Sequence, residues 1–107
     1  MVGAGNDNSI FNTNRSSILA GQKNTISGGN SSTIGGGVSN EIGSDYSHFI
    51  GAGESNFIGK NSNRSMVGAG YANNIFGTDQ SSISSGKVNQ ILDSENSFIG
   101  TGVSNEI

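Results

Sequence analysis

The sequence predicts an all-β protein: a parallel β-solenoid, or β-roll, whose sixteen-residue coils each hold two short strands. Three observations carry that expectation. First, aliphatic residues form one ladder through the chain, at Val2, Ile10, Ile18, Ile26, Ile34, Ile42, Ile50, Ile58, Val67, Ile75, Ile83, Ile91, Ile99 and Ile107, and every step is eight residues except the nine from Ile58 to Val67. Second, alternate rungs have different neighbours, so the unit is sixteen. Asn stands two residues before each rung of one set, at Asn8, Asn24, Asn40, Asn56, Asn73, Asn89 and Asn105. Gly stands three residues after each rung of the other set, at Gly5, Gly21, Gly37, Gly53, Gly70, Gly86 and Gly102. Third, MVGAG at 1–5 recurs at 66–70 and VSNEI at 38–42 recurs at 103–107; both offsets are 65, four coils and one extra residue.

Each coil then has one strand around a glycine-set rung and one around an asparagine-set rung. With the rung pointing inward, strand alternation turns the residues one before and one after it outward, and those two away inward. On that parity the inward residues after the glycine-set rungs are Ala4, Ala20, Gly36, Ala52, Ala69, Ser85 and Thr101, all small enough for a narrow coil. The glycine that comes next suits a corner needing positive φ or close backbone approach. The asparagines can bond free backbone groups inside the other corner, and copies stacked one coil apart, about 4.7 to 4.8 Å, can bond each other. The equivalent place before the glycine-set rungs reads Ser16, Ser32, His48, Ser65, Ser81 and Ser97. The extra residue between Ile58 and Val67 is expected as a one-residue bulge within 59–66, near Asn61 to Asn63. Residues 1–107 read as a single module of six to seven coils, rising about 30 Å. Both ends fall on the repeat without a polar cap, so a fragment of a longer fibre is expected.

Composition narrows the function classes. Only 31% of the residues are hydrophobic, with 18 glycines and no proline, which is thin material for a conventional core. The net charge is −3 and nothing basic clusters, so neither nucleic acid nor an anionic membrane is expected as a partner. With no cysteine there are no disulfides or thiolate metal sites. The longest apolar run, Ile18-Leu19-Ala20, is far too short for a membrane span or a secretory signal. The outward residues flanking the glycine-set rungs include Met1, Leu19, Phe49, Met66 and Phe98, all on one face. A column of apolar residues on a β-face suggests contact with another chain, and a homotrimer packed through this face is expected.

The stretch IGGGVSNEIGSDYSHFIGAGESNFIG at 34–59 resembles the glycine-rich repeats of trimeric phage and bacterial fibre proteins, tail-fibre-like or adhesin-like shafts that often end in an endosialidase-type chaperone. The chain is also similar in plan to the β-roll heads of trimeric autotransporter adhesins, and it resembles plant ice-recrystallisation-inhibiting β-rolls with their N-x-V-x-G strands. The fibre resemblance covers essentially the whole chain, apart from the chaperone. It implies a left-handed roll, trimeric assembly and an extracellular place on a cell surface or virion.

Reactive chemistry finds little support. The GAG stretches at 3–5, 51–53 and 68–70 have no helical period after them, which a phosphate loop requires. Asp45, Ser47 and His48 hold the ingredients of a nucleophilic relay, but His48 fills a slot that is Ser in the other coils, so a ladder substitution is the better reading. The acidic residues recur at no fixed position and the GGxGxD pattern of calcium rolls is missing. Asn14, Asn30 and Asn63 match glycosylation sequons in a sequence where chance matches abound. No catalytic, cofactor or metal residue is therefore assigned. An ice-binding β-roll is the alternative; it asks for a regular outward array, whereas the column before the asparagine-set rungs reads Ser9, Thr25, Glu41, Phe57, Asn74, Gln90, Glu106. The expectation is a non-enzymatic spacer in a trimeric fibre. Its corner loops at Asp45-Tyr46, Glu54-Ser55 and Tyr71-Ala72 offer surface to a glycan or cell-surface receptor.

Overall fold

An aliphatic residue every eighth position can share one interior only if the chain returns to the same place every sixteen. The computed structural model, which describes residues 1–43 and 45–107, does this with fourteen strands of two or three residues. In chain order they are β1 (Ser9–Phe11), β2 (Ser17–Ile18), β3 (Thr25–Ser27), β4 (Gly29–Asn30), β5 (Thr33–Ile34), β6 (Glu41–Ile42) and β7 (Asp45–Tyr46). There follow β8 (Phe49–Ile50), β9 (Phe57–Ile58), β10 (Met66–Val67), β11 (Asn74–Phe76), β12 (Ser82–Ile83), β13 (Gln90–Leu92) and β14 (Phe98–Ile99). No helix occurs among the described residues.

All pairing is parallel. One six-stranded sheet runs β1-β3-β6-β9-β11-β13 and holds the asparagine-set rungs; the other runs β2-β5-β8-β10-β12-β14 and holds the glycine-set rungs. The register stacks like on like, Ile10 on Ile26 and Ile42 on Ile58 in the first sheet, Ile18 on Ile34 and Val67 on Ile83 in the second. The core is therefore a single column between two sheets. Its rungs from Ile18 to Ile91 are fully buried, while Val2 and Ile107, each with a coil on one side only, stay exposed. The backbone spans 33 × 22 × 13 Å, and the shortest dimension suits two sheets about 10 Å apart.

The corners carry ladders of their own. Past the glycine corner, Asn6, Gln22, Val38, Glu54, Tyr71, Lys87 and Val103 pair coil to coil as single bridges. At the opposite corner β4 pairs with β7, and Asn63 bridges Asp79. Backbone pairing thus continues round the coil, beyond the two strands that the ladder defines.

Coil spacing in these pairings is sixteen residues, except where it steps over the extra residue. There Phe49 pairs with Met66, Phe57 with Asn74 and Glu54 with Tyr71, each seventeen on. The surplus forms a turn at Lys60 and Asn61, with φ of 56° at Asn61. Gly59 beside it is buried under two aromatic rings: a Cβ there would lie 2.5 Å from Phe57 and 2.6 Å from Phe76.

One expectation from strand parity is corrected. Ala4, Ala20, Ala52 and Thr101 are exposed, and Gly36, Ala69 and Ser85 are half-exposed. The chain bends at all of these positions, two residues past the rung, because each strand of this sheet is only two residues long. Alternation therefore does not persist through the bend, and the side chain points out while the carbonyl points in.

Candidate functional site

The space that those small residues leave inside is taken by the asparagines. Asn24, Asn40, Asn56, Asn73 and Asn89 are fully buried, and each binds the next in one file. The Oδ1 of Asn40 accepts the backbone N–H of Asn56 at 3.0 Å and its Nδ2–H at 3.0 Å. The Nδ2 of Asn40 donates to Asn24 Oδ1 at 3.1 Å, to Gly36 O at 3.0 Å and to Gly53 O at 2.9 Å. A short amide is the one side chain that can both accept from the coil on one side and donate to the carbonyls of its own and the next corner. Asn105 joins the file through Asn89, and Asn8 through Asn24.

The corner glycines close the same corner. Gly37 has φ of 95°, and a Cβ on it would run into the carbonyl oxygen of Gly53 and lie 2.7 Å from Asn40 Nδ2. Gly5, Gly21, Gly53, Gly70, Gly86 and Gly102 share the positive φ. Sequence reading missed a second left-handed residue two places later: Asp7, Lys23, Ser39, Ser55, Ala72, Val88 and Ser104 all have φ between 53° and 57°. These types share no composition signal, and the β-branched Val88 is among the worst suited to this region.

At the opposite corner a second polar file uses hydroxyls. The backbone N–H of Ser32 donates to Ser16 Oγ at 3.1 Å, that of His48 to Ser32 Oγ at 3.2 Å, and that of Ser97 to Ser81 Oγ at 3.1 Å. His48 continues the file, its Nδ1 accepting the N–H of Ser65 at 3.5 Å. His48 is buried and Ser47 exposed, so neighbouring members of the suggested relay face opposite sides of the wall; the Asp45 side chain lies outside the described residues. Among the described residues no group of three His, Cys, Asp or Glu side chains is placed to hold a metal ion.

Two surfaces are open to a partner. On the outer face of the glycine-set sheet, Met1, Leu19, Phe49, Met66 and Phe98 are all exposed, from 39% at Met66 to 76% at Met1. Phe49 and Met66 are register neighbours. The outer face of the other sheet has apolar residues too, with Phe11 and Phe76 exposed and Phe57 and Leu92 half-buried. The parity argument applied to the asparagine set would have found them.

The corner loops form the second surface. Glu54, Tyr71 and Lys87 lie in the bridge column past the glycine corner, where Lys87 Nζ stands 5.7 Å from the Tyr71 ring centroid. Tyr46 lies at the opposite corner, between two open clefts. One, of about 590 Å³, is lined by Tyr46, Asn61, Asn63, Arg64, Gly77, Asp79 and Glu95. The other, of about 500 Å³, is lined by Asn14, Arg15, Asn30, Ser31 and Tyr46. The three sequon asparagines all line this corner, and Asn30 and Asn63 are held by hydrogen bonds to Asn14 and Asp79.

No family model matches the chain, and no curated protein matches its sequence.

Proposed function

We propose that the chain is a stiff, non-enzymatic spacer segment of a trimeric extracellular fibre, of the surface or virion kind, whose corner loops also contact a glycan or receptor. The observation that carries this reading is the set of exposed apolar residues Met1, Leu19, Phe49, Met66 and Phe98 on one sheet face, with Phe49 and Met66 as register neighbours and Ser17, Thr33 and Ser82 between the rest. Large apolar side chains exposed along one β-face supply the anchors that an oligomer interface uses. Stiffness follows from the fold: each coil is tied to its neighbours by backbone bonds at both sheets and both corners, and by two polar files inside.

The ice-binding alternative draws support from Ser17 and Thr33, whose hydroxyls lie 3.3 Å apart on neighbouring strands. The same column continues as Phe49, Met66, Ser82 and Phe98, so the hydroxyl array is two rungs long. The fibre reading is tested by sedimentation equilibrium. It expects about three times the 10.9 kDa chain mass, falling to one chain mass in Phe49→Glu/Met66→Glu. A monomer at all concentrations, or thermal hysteresis above that of an inert protein, would reverse the order of the two readings.

A further inference from the structure

The clefts on either side of Tyr46 share one wall, because the residues that line them belong to one file. Asn14, Asn30, Tyr46, Asn63, Asp79 and Glu95 follow one another at one coil per step. Five steps of about 4.8 Å make a groove about 24 Å long, parallel to the axis. We propose that this groove binds an acidic oligosaccharide, with the Tyr46 ring as the platform for one sugar ring and Arg15 as the partner of a sugar carboxylate. The inference deepens the fibre reading, from which it takes the expectation of a surface glycan.

The walls of the groove are fixed before any ligand arrives. Asn30 pairs with Tyr46 along β4 and β7, the N–H of Arg64 donates to Tyr46 O at 2.9 Å, and Asn30 Oδ1 accepts the N–H of Asn14 at 2.9 Å. Asp79 Oδ1 accepts both the N–H of Asn63 at 3.0 Å and its Nδ2–H at 2.9 Å. A preformed surface of this kind loses little entropy on binding.

Tyr46 is 61% exposed and lines both clefts. Among the described residues that line the groove its ring is the one large apolar side chain; the others are amides, a hydroxyl, charged groups and Gly77. A pyranose has the matching character: its C–H face can cover the ring while its hydroxyls reach the amides of Asn14 and Asn30. A peptide would ask for apolar side-chain pockets along its length, and among the described lining residues Tyr46 is the single large apolar side chain.

Charge sets the rest of the specificity. Arg15 and Arg64 are the chain's two arginines, and both line this groove, three coils apart. Among the described residues that line it, the cleft with Arg15 has no carboxylate, so a guanidinium there can take a sugar carboxylate by two parallel hydrogen bonds. The cleft with Arg64 also holds Asp79 and Glu95, which accept hydroxyl protons and repel a uniformly charged polyanion. A chain with carboxylates separated by neutral units fits both halves; nucleic acid does not.

The test is an NMR titration of the isotope-labelled chain with hexasaccharides of hyaluronan and alternating alginate, with maltohexaose as the neutral control. The expected result is amide shift changes confined to Asn14, Asn30, Tyr46 and Asn63 and their neighbours, with tighter binding of an acidic sugar. Tyr46→Ala is expected to weaken binding about tenfold, as loss of a ring contact does, while Tyr46→Phe retains it. Arg15→Gln is expected to abolish the preference for acidic over neutral sugar. Absence of shift changes with every sugar at millimolar concentration, or unchanged affinity in a folded Tyr46→Ala chain, overturns the proposal. Sedimentation mass of the same samples reports on the trimer separately, since Tyr46 lies at a corner and not on the apolar face.

Discussion

Adjacent glycines show how finely the coil distinguishes positions. At Gly36 a Cβ would meet nothing nearer than Ala20 O at 3.9 Å, whereas at Gly37 it would collide with Gly53 O, and φ is 95°. Gly36→Ala is expected to change stability by no more than about 0.5 kcal/mol, since four other coils have Ala there. Gly37→Ala combines strain with a backbone clash and is expected to cost about 3 kcal/mol. Chemical denaturation of the two variants side by side measures the contrast. Asn40→Ala removes bonds in both directions along the file, leaves the buried Asn56 N–H without its acceptor and takes one of two donors from the Gly53 carbonyl, which keeps the Val38 N–H. An unsatisfied buried group costs about 1 to 3 kcal/mol, so the denaturation midpoint is expected to fall by the equivalent of about 3 kcal/mol or more. Parity marked the asparagines, because their spacing to the rung is constant. The outward turn at Ala20 and Ala52 escaped it, because a bend two residues past the rung leaves no trace in composition.

Strands of two or three residues have no stability of their own, so each element here exists through its neighbours one coil away. Ile50 illustrates this: it is fully buried, stacked between Ile34 and Val67 in its sheet. Ile50→Ala is expected to cost about 3 to 4 kcal/mol by calorimetry or denaturation, from lost burial and the cavity left between two sheets that cannot close on it. The fold class was legible in the sequence because a period of sixteen admits few other geometries. The extra residue was legible as a nine-residue step, but its placement at the Lys60–Asn61 turn depends on Gly59 fitting beneath Phe57 and Phe76, a packing fact no spacing reveals. The corner ladders were not legible either. Their column reads Asn6, Gln22, Val38, Glu54, Tyr71, Lys87, Val103, and such a mixture has no strand signature because backbone bonds, not side chains, hold it together. For the same reason the groove at Tyr46 emerges only when residues sixteen apart are set side by side.

At the scale of the whole molecule, the repeated bonds add up to a rod with exposed apolar residues on the outer faces of its sheets and polar clefts along one corner. A mechanical role asks that backbone bonding continue from coil to coil without a break, including across the extra residue. The column past the glycine corner provides the check. Gln22 donates to Gly37 O, Val38 to Gly53 O, Tyr71 to Gly86 O and Lys87 to Gly102 O, each fifteen residues on, while Glu54 donates to Gly70 O, sixteen on. Scalar couplings between amide nitrogen and carbonyl carbon across hydrogen bonds read these pairs directly by NMR. The account predicts couplings from those four amides to carbonyls fifteen residues ahead, and from Glu54 to Gly70. Couplings to carbonyls within one coil, or an antiparallel pattern in their place, would contradict it.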